Sequence, residues 1–400
     1  MGAIIKTING PYQMNLDKRI RRHVVGARHA FFAVTLPGYE HLGREELERL
    51  CPDIDFEEPV KGGVAFNGRL PDLYLANLHM RTAGRILMRL AHFKASAFNQ
   101  LENRSRSLVW SLYLPPGDIP DIRVTARHSR LYHTQAVAER IRGCIADHWT
   151  AMAIRQVPSS DQTLFVRLTD DLAAISLDSS GENLYRRGLK THYAQAPLRE
   201  TLASIILHLA GYDPDRPLLD PMCGAGTFSL EAALTTKSLA PGLNRSFAFM
   251  RWPAYSSRQW RHLRKIAADR VIRLGQPLIW ASDTDEAACA ALRDCVRRNS
   301  MEDAVRVDQR DFFSLRPDEF SKSPGLIVLN PPYGRRLQTG IPLSDFYARI
   351  AAKLRQDFKG WRTALLVPGD QPAHGFGLNL REFALTHGGL RLTLLTGRIR

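Results

Sequence analysis

The chain has 400 residues, 44% of them hydrophobic, and carries 55 Lys/Arg against 40 Asp/Glu for a formal charge of +15. That is enough chain for two or three domains with their own cores, and the positive excess favours a polyanionic partner over an acidic one. No apolar run approaches the ~18 residues that a membrane span needs, so no membrane partner is expected.

Residues 1–29 hold six Lys/Arg and one Asp without the apolar core of a secretory signal. They read as a loose basic tail, either solvated or touching RNA, on a cytoplasmic protein. Cys51, Cys144, Cys223, Cys289 and Cys295 show neither disulfide nor metal spacing, which fits a reducing compartment. His128 and His133 lack a third ligand nearby, and no metal is expected.

In residues 30–80 the pattern predicts a strand at 30–36, a helix at 38–50, strands at 54–60 and 63–66, and a helix at 72–80. Glu40, Glu45, Glu46 and Glu48 read as the solvated face of the first helix. This β-α-β-β-α order is similar to a ferredoxin-like module. Residues 81–178 read as strands at 86–93, 121–126, 164–168 and 173–177 around a helix at 134–152. Arg123, Arg127, His128, Arg130 and His133 cluster at a strand end and loop, where they suit phosphate contact or form a basic solvent loop.

A domain boundary is expected in residues 179–193, which are polar and include Gly181 and Gly188. Pro197 then leads an amphipathic helix through Leu198, Leu202, Ile205, Ile206 and Leu209, stopped by Gly211. Leu218–Asp220 reads as a short buried strand, followed by a glycine turn and a helix. Gly224 and Gly226 let the backbone turn sharply and a ligand approach, as at nucleotide sites of open α/β sheets. Neither a third glycine at dinucleotide spacing nor a Gly-Lys-Ser/Thr follows. With an aspartate and no lysine, the turn suits a nucleoside better than a phosphate. An ordinary strand-to-helix connection is the bland alternative.

Residues 237–275 are too long for a simple crossover. They hold nine basic residues and one acid, interleaved with Phe247, Phe249, Trp252, Tyr255 and Trp260. The aromatics can anchor the segment on the core or stack on bases, and Arg245, Arg251, Arg258 and Arg261 are candidate phosphate contacts. A strand at 277–282 ends at Asp283-Thr-Asp285. A carboxylate there is placed to accept from both hydroxyls of a ribose; Asp283 is the first choice, with Asp285 the alternate or a helix cap. A helix at 287–299 and a strand at 305–309 follow, and the strand ends at Asp311-Phe312.

Residues 325–329 form the next buried strand, which breaks into Asn330-Pro331-Pro332-Tyr333. Two prolines remove two backbone donors and fix φ, so their carbonyls project without competing N–H groups. An amide oxygen, the Pro331 carbonyl and an aromatic ring suit a planar exocyclic amine. Asn330 and Pro331 can accept its two N–H bonds and stabilise developing charge, while Tyr333 stacks on the heterocycle. A helix at 344–358, a strand at 363–367 and an antiparallel pair at 381–386 and 389–396 complete the pattern.

With both motifs in place, residues 179–400 resemble the class I S-adenosylmethionine-dependent methyltransferases that act on exocyclic amines. Leu184-Tyr-Arg-Arg-Gly188 with Ala196-Pro-Leu-Arg-Glu200, Asp220-Pro-Met-Cys-Gly-Ala-Gly-Thr227 and Ala240-Pro-Gly-Leu-Asn-Arg245 are similar to the THUMP-containing RNA guanine-N2 methyltransferases, and the last to the bacterial large-subunit rRNA branch. Arg335 departs from that branch, which usually has glutamate after Tyr-Gly.

The resemblance implies an α/β, Rossmann-like methyltransferase domain (179–400) preceded by an α+β ferredoxin-like module (30–80) and a THUMP-like RNA-binding domain (81–178). It implies S-adenosyl-L-methionine as cofactor, held by Asp220, Cys223, Gly224, Gly226 and Thr227 at the turn, by Asp283 or Asp285 at the ribose, and by Asp311 and Phe312 at the adenine. The helix after Pro197 would border that pocket, and Asn330, Pro331, Pro332 and Tyr333 would be catalytic. The implied reaction is N2-methylation of a guanine in RNA, with rRNA favoured over tRNA. A DNA adenine or protein-glutamine methyltransferase would share Asn-Pro-Pro-Tyr but not need the THUMP-like half. A non-catalytic ribosome assembly factor would not need Asp220, Asp283 and Asn330.

Overall fold

The computed structural model describes residues 11–190, 198–331, 342–369, 378 and 380–400, apart from the side chains of 11–13 and 158–160. The chain divides into two compact units, residues 1–184 with 245–265, and 185–244 with 266–400. No described helix is long and apolar enough to cross a membrane.

The first unit opens with a helix, Pro11–Ile20 (α1), that continues as a π-helix through Arg21–Val25. This corrects the expected loose tail over residues 11–25. Leu16, Ile20 and Val24 recur every four residues and are at most 6% exposed, so the segment buries one apolar stripe while its basic residues face water. There follow β1 (His29–Val34), α2 (Glu40–Leu50), β2 (Asp55–Phe56), β3 (Gly63–Gly68), α3 (Leu70–His79), β4 (Arg85–Lys94), α4 (Phe98–Ser107), β5 (Asp118–Arg127), α5 (Thr134–Ala151), β6 (Val157–Thr169) and β7 (Leu172–Asp178). The ferredoxin-like order is present, although the strand expected at 54–60 shrinks to β2.

Two of the glutamates assigned to a solvated face on α2 are engaged with backbone. Glu46 accepts from the N–H groups of Arg81 and Thr82, and Glu40 from those of Gly38 and Gly62. The described strands form one sheet in the order β2-β3-β1-β4-β7-β6-β5. β4 pairs antiparallel with β1 on one side and with β7 on the other, so a single sheet runs through residues 30–178.

Residues 245–265 belong to this unit. Phe247, Phe249, Trp252 and Trp260 are each at most 5% exposed. Phe249 stacks on Tyr74 at 4.5 Å between ring centroids and meets Trp260 edge-on at 5.3 Å. The aromatics therefore serve as core anchors, not as a base-stacking surface.

The second unit carries α6 (Glu200–Leu209), β8 (Leu218–Asp220) and α7 (Thr227–Thr236). The helix Ser257–Asp269 (α8) follows in the chain, and then come β9 (Ile279–Asp283), α9 (Glu286–Arg298), β10 (Val305–Gln309), β11 (Leu326–Leu329), α10 (Leu343–Asp357), β12 (Arg362–Pro368), β13 (Arg381–His387) and β14 (Leu390–Arg398). The sheet order is β10-β9-β8-β11-β12-β14-β13. β10 through β12 are parallel, and β14 is antiparallel to both β12 and β13. The order reverses between β8 and β11, which makes their carboxyl ends the topological switch point where ligands of such sheets bind.

On one face, Phe346, Tyr347, Ile350 and Leu354 of α10 pack with Ile327, Leu329, Leu365 and Val367. These central strands are buried runs rather than alternating patterns, as parallel strands covered by helices must be.

Phe249 is 0% exposed among four aromatic neighbours, so Phe249→Ala should cost about 3–5 kcal/mol. A urea titration followed by tryptophan fluorescence measures it; a loss below ~1 kcal/mol would mean that the insertion is not anchored through this ring.

Candidate active site at the carboxyl edge of the parallel sheet

β8 delivers Asp220 to the switch point with its side chain almost fully buried. Its Oδ2 accepts from the Ser229 hydroxyl at 2.7 Å and from the Ser229 N–H at 3.2 Å. Its Oδ1 is buried and meets no partner among the described residues. Burial pushes the carboxyl up to about 7, against the pull of Ser229.

The glycine turn follows, with φ of +49° at Gly224 and +70° at Gly226. Both values lie in the region that side chains avoid. A Cβ at Gly226 would stand 2.3 Å from Leu292 Cδ1, whereas one at Gly224 would meet nothing within 4 Å. Gly226 is thus fixed by packing against α9, and Gly224 by backbone conformation beside open space. Cys223 is 8% exposed, and burial next to Asp220 and Asp283 drives its thiol up, so it stays protonated. Its N–H donates to the Ser282 carbonyl at 3.0 Å.

Asp283, at the end of β9, ties the turn to the second strand. Its Oδ2 accepts from the Gly224 N–H at 2.8 Å and its Oδ1 from the Asp285 N–H at 3.1 Å. A carboxylate has about four acceptor positions, so acceptor capacity remains on both oxygens. Asp285 instead caps α9, accepting from Ala287 and Ala288. Asp311, beyond β10, caps a 3-10 turn by accepting from the Phe313 N–H at 3.1 Å.

Phe312 requires a correction. It is 1% exposed in the core with Phe346 and Phe358, so it has no surface to offer a ligand ring. Half-buried Phe313 is its neighbour, with Arg349 4.6 Å over the ring.

At the end of β11, Asn330 places its side-chain oxygen in a buried position with no partner among the described residues, and Pro331 is buried. Pro332, Tyr333 and Arg335 lie outside the described residues. Ser282 Oγ is a third buried atom at this edge with no partner among the described residues. Three strand ends thus converge with hydrogen-bonding capacity unspent.

Sequence reasoning missed two groups here. Ser229 was signalled only by its place in the first turn of α7. The cation Lys190, two residues after Gly188, donates to Thr227 Oγ1 at 2.8 Å.

The arginines assigned to phosphate separate into two sets. Arg245 is spent internally, donating to the carbonyls of Asn183 and Glu182 at 2.8 and 2.6 Å and lying 5.0 Å over the Phe247 ring; its assignment to RNA is corrected. Lys237, counted in the same basic stretch, is 5% exposed in an ion pair with Asp303. Arg123, Arg127, Arg130, Arg251, Arg258 and Arg261 are exposed. Of these, Arg123 pairs with Asp121, Arg130 with Asp171 and Arg251 with Asp161.

The raised carboxyl of Asp220 has a stability consequence. Its contribution is fully present below the ordinary Asp range near 4, and is lost as pH rises through about 7. Asp220→Asn removes that titration, so the variant should gain on the wild type by on the order of 4 kcal/mol between pH 4 and pH 8. Chemical denaturation at both pH values checks this; a constant difference would mean that Asp220 is ionised throughout.

Comparison with known proteins bears on this geometry. Residues 187–376 match the family described as UPF0020, RMKL-like, methyltransferase domain, and residues 30–87 match the RlmL ferredoxin-like domain. A putative RNA methyltransferase, slr0064 of Synechocystis sp., is 32% identical over 91% of this chain and 95% of its own length. The ribosomal RNA large subunit methyltransferase K/L of Methylococcus capsulatus is 33% identical over 90% of this chain, but the match covers 50% of that longer protein. The chain therefore spans about half the length of such relatives. Among solved structures, SMU.472, a putative methyltransferase complexed with SAH, superposes with a TM-score of 0.81 at 26% identity, over 93% of this chain and 98% of that one. The chain belongs to the RlmKL-like methyltransferase family, in which a UPF0020 methyltransferase domain is joined to an RlmL ferredoxin-like domain.

Proposed function

We propose that this chain transfers the methyl group of S-adenosyl-L-methionine to the exocyclic N2 amine of a guanine in RNA, with large-subunit rRNA as substrate. The observation that carries the reading is the buried Oδ1 of Asn330 at the switch point, which has no partner among the described residues. A buried acceptor left unpaired costs about 1–3 kcal/mol, and the N–H of an amine substrate would recover that cost. The sequence from Asn330 continues as Pro-Pro-Tyr, which adds a carbonyl acceptor without a donor and a ring for the base.

The residues present also fit the cofactor. Its sulfonium supplies an activated methyl group when it is bound. Asp283 has acceptor capacity for both ribose hydroxyls. Asp311 caps its turn through Oδ1, and its other oxygen is available to the adenine amine. Asp220 is an acceptor whose ionisation an ammonium group would favour. Gly224, with open space where a Cβ would stand, admits the ligand against the backbone.

On this reading Asn330 and the Pro331 carbonyl hold the two N–H bonds of the guanine amine and turn its lone pair toward the methyl group. Positive charge develops on nitrogen during attack and falls on these oxygens. The proton is then shed to solvent. Cys223, protonated and buried, is no base.

The RNA substrate is supported by the ferredoxin-like domain, by the positive excess of the chain and by the names of the relatives. The exposed arginines 123, 127, 130, 251, 258 and 261 are the candidates for phosphate contact.

Tritiated methyl transfer to rRNA, tRNA and a glutamine-bearing protein, followed by nucleoside analysis, tests the reading. Label in N2-methylguanosine of large-subunit rRNA is expected. Label in N6-methyladenosine or in protein would sink the guanine assignment, and label confined to tRNA would move the substrate. Asn330→Ala should lower turnover at least ~100-fold while cofactor affinity changes by no more than a few fold; normal turnover in that variant would remove Asn330 from the chemistry. Asp283→Ala should abolish most of the rise in melting temperature given by the cofactor, and an unchanged rise would place the ribose elsewhere.

A further inference from the structure

Beneath the glycine turn lie four charges that the chemistry proposed above does not use. Arg187 and Glu231, 2% and 1% exposed, form an ion pair with Nε–Oε1 at 2.9 Å, and Ser204 donates its hydroxyl to the same carboxylate. Lys190 and Glu200, 6% and 7% exposed, stand 3.4 Å apart. The set is neutral, as burial demands. The two pairs differ in what else they touch. Glu231 is held by Arg187 and Ser204 and serves the packing of α7, a helix buried over nearly its whole surface. Lys190 reaches instead to Thr227, the first residue of α7 and the one that ends the glycine turn.

An ammonium can only donate, so Thr227 Oγ1 accepts from Lys190, and its own proton must point elsewhere. Among the described residues that proton meets no acceptor, although Thr227 is 6% exposed. The hydroxyl lies at the N-terminus of a ten-residue helix, where the peptide dipoles favour negative charge. On the other side of the turn, Asp220 keeps a buried oxygen with no partner among the described residues, and the ammonium of Lys190 is near enough to favour its ionised form. One end of the turn thus offers a donor to an anion, and the other an acceptor to a cation. A free amino acid carries both groups on one carbon.

We infer that Lys190 is a positioning residue which, through the Thr227 hydroxyl, fixes the carboxylate of the cofactor's amino-acid tail at the glycine turn. This deepens the cofactor reading proposed above and rests on it. Lys190 touches neither the methyl group nor the substrate amine, and sets where the tail is held.

The test is calorimetric binding to the full chain, without turnover, of two ligands. S-adenosylhomocysteine carries the amino-acid tail; 5′-methylthioadenosine has the same nucleoside and sulfur without it. Lys190→Met and Thr227→Val should each weaken S-adenosylhomocysteine at least ~10-fold and leave methylthioadenosine within about twofold, a difference set by the charge-assisted bond to the tail. Lys190→Arg should recover most of the loss. Thr227→Val keeps the Lys190–Glu200 pair, and methylthioadenosine binding reports an intact adenosine pocket, so misfolding is visible. Equal losses for both ligands would reduce Lys190 to a support for the fold, and unchanged S-adenosylhomocysteine affinity would overturn the inference outright. If the wild type binds neither ligand, the cofactor reading falls and takes this inference with it.

Discussion

The site depends on one short connection, the N–H of Gly224 donating to the carboxylate of Asp283. It closes the turn after the first parallel strand onto the end of the second, and the Cys223 N–H does the same to the Ser282 carbonyl. The backbone then turns left-handed at Gly224 and again at Gly226, where the helix starts. A side chain at Gly226 would collide with Leu292, so the turn, α9 and the carboxylate form a rigid unit. Asp283 is then already oriented, with lone pairs to spare, and a ribose would not have to order it on binding.

A second constraint is electrostatic. α7 follows the turn directly and is buried on nearly every side, yet it contains Glu231. A lone carboxylate there would be prohibitive, so Arg187 is drawn in from the segment before α6. The same segment brings Lys190 to Thr227 and Glu200. The burial of one helix thus draws Arg187 and Lys190, which lie in a linker that is polar by composition, into buried ion pairs.

Much of this was legible in the sequence. β10 has the boundaries expected from its pattern, and β9, β11, α9 and α10 lie within two residues of them, because buried parallel strands and amphipathic helices leave strong periodic signals. The turn and the Asn330 motif were readable because glycine and proline act on the backbone locally. What pattern could not give was the partner of a polar side chain. Arg245 looked like a free cation and is bound to carbonyls; Glu46 looked solvated and closes a loop. Phe312 and Phe313 are adjacent aromatics that nothing local distinguishes, yet Phe312 is 1% exposed in the core and Phe313 only half-buried. The helix at residues 11–20 was hidden by its charge, although Leu16, Ile20 and Val24 mark the stripe. α4 was hidden by being polar over most of its surface.

The unsatisfied groups at the carboxyl edge of the parallel strands bear on function. Buried polar atoms are normally paired, yet Asp220 Oδ1, Ser282 Oγ and Asn330 Oδ1 stand unpaired among the described residues at the ends of three adjacent strands. A chain selected only for stability would fill such positions with apolar side chains or pair them. Holding Asp220 where burial raises its carboxyl to about 7 works against the folded state at neutral pH. The cost is incurred where the parallel strands end and their backbone ladder stops, which is where a ligand can supply the missing partners. Binding a cationic, hydrogen-bonding ligand would offset that cost, so ligand affinity and apparent stability are coupled through the same few atoms.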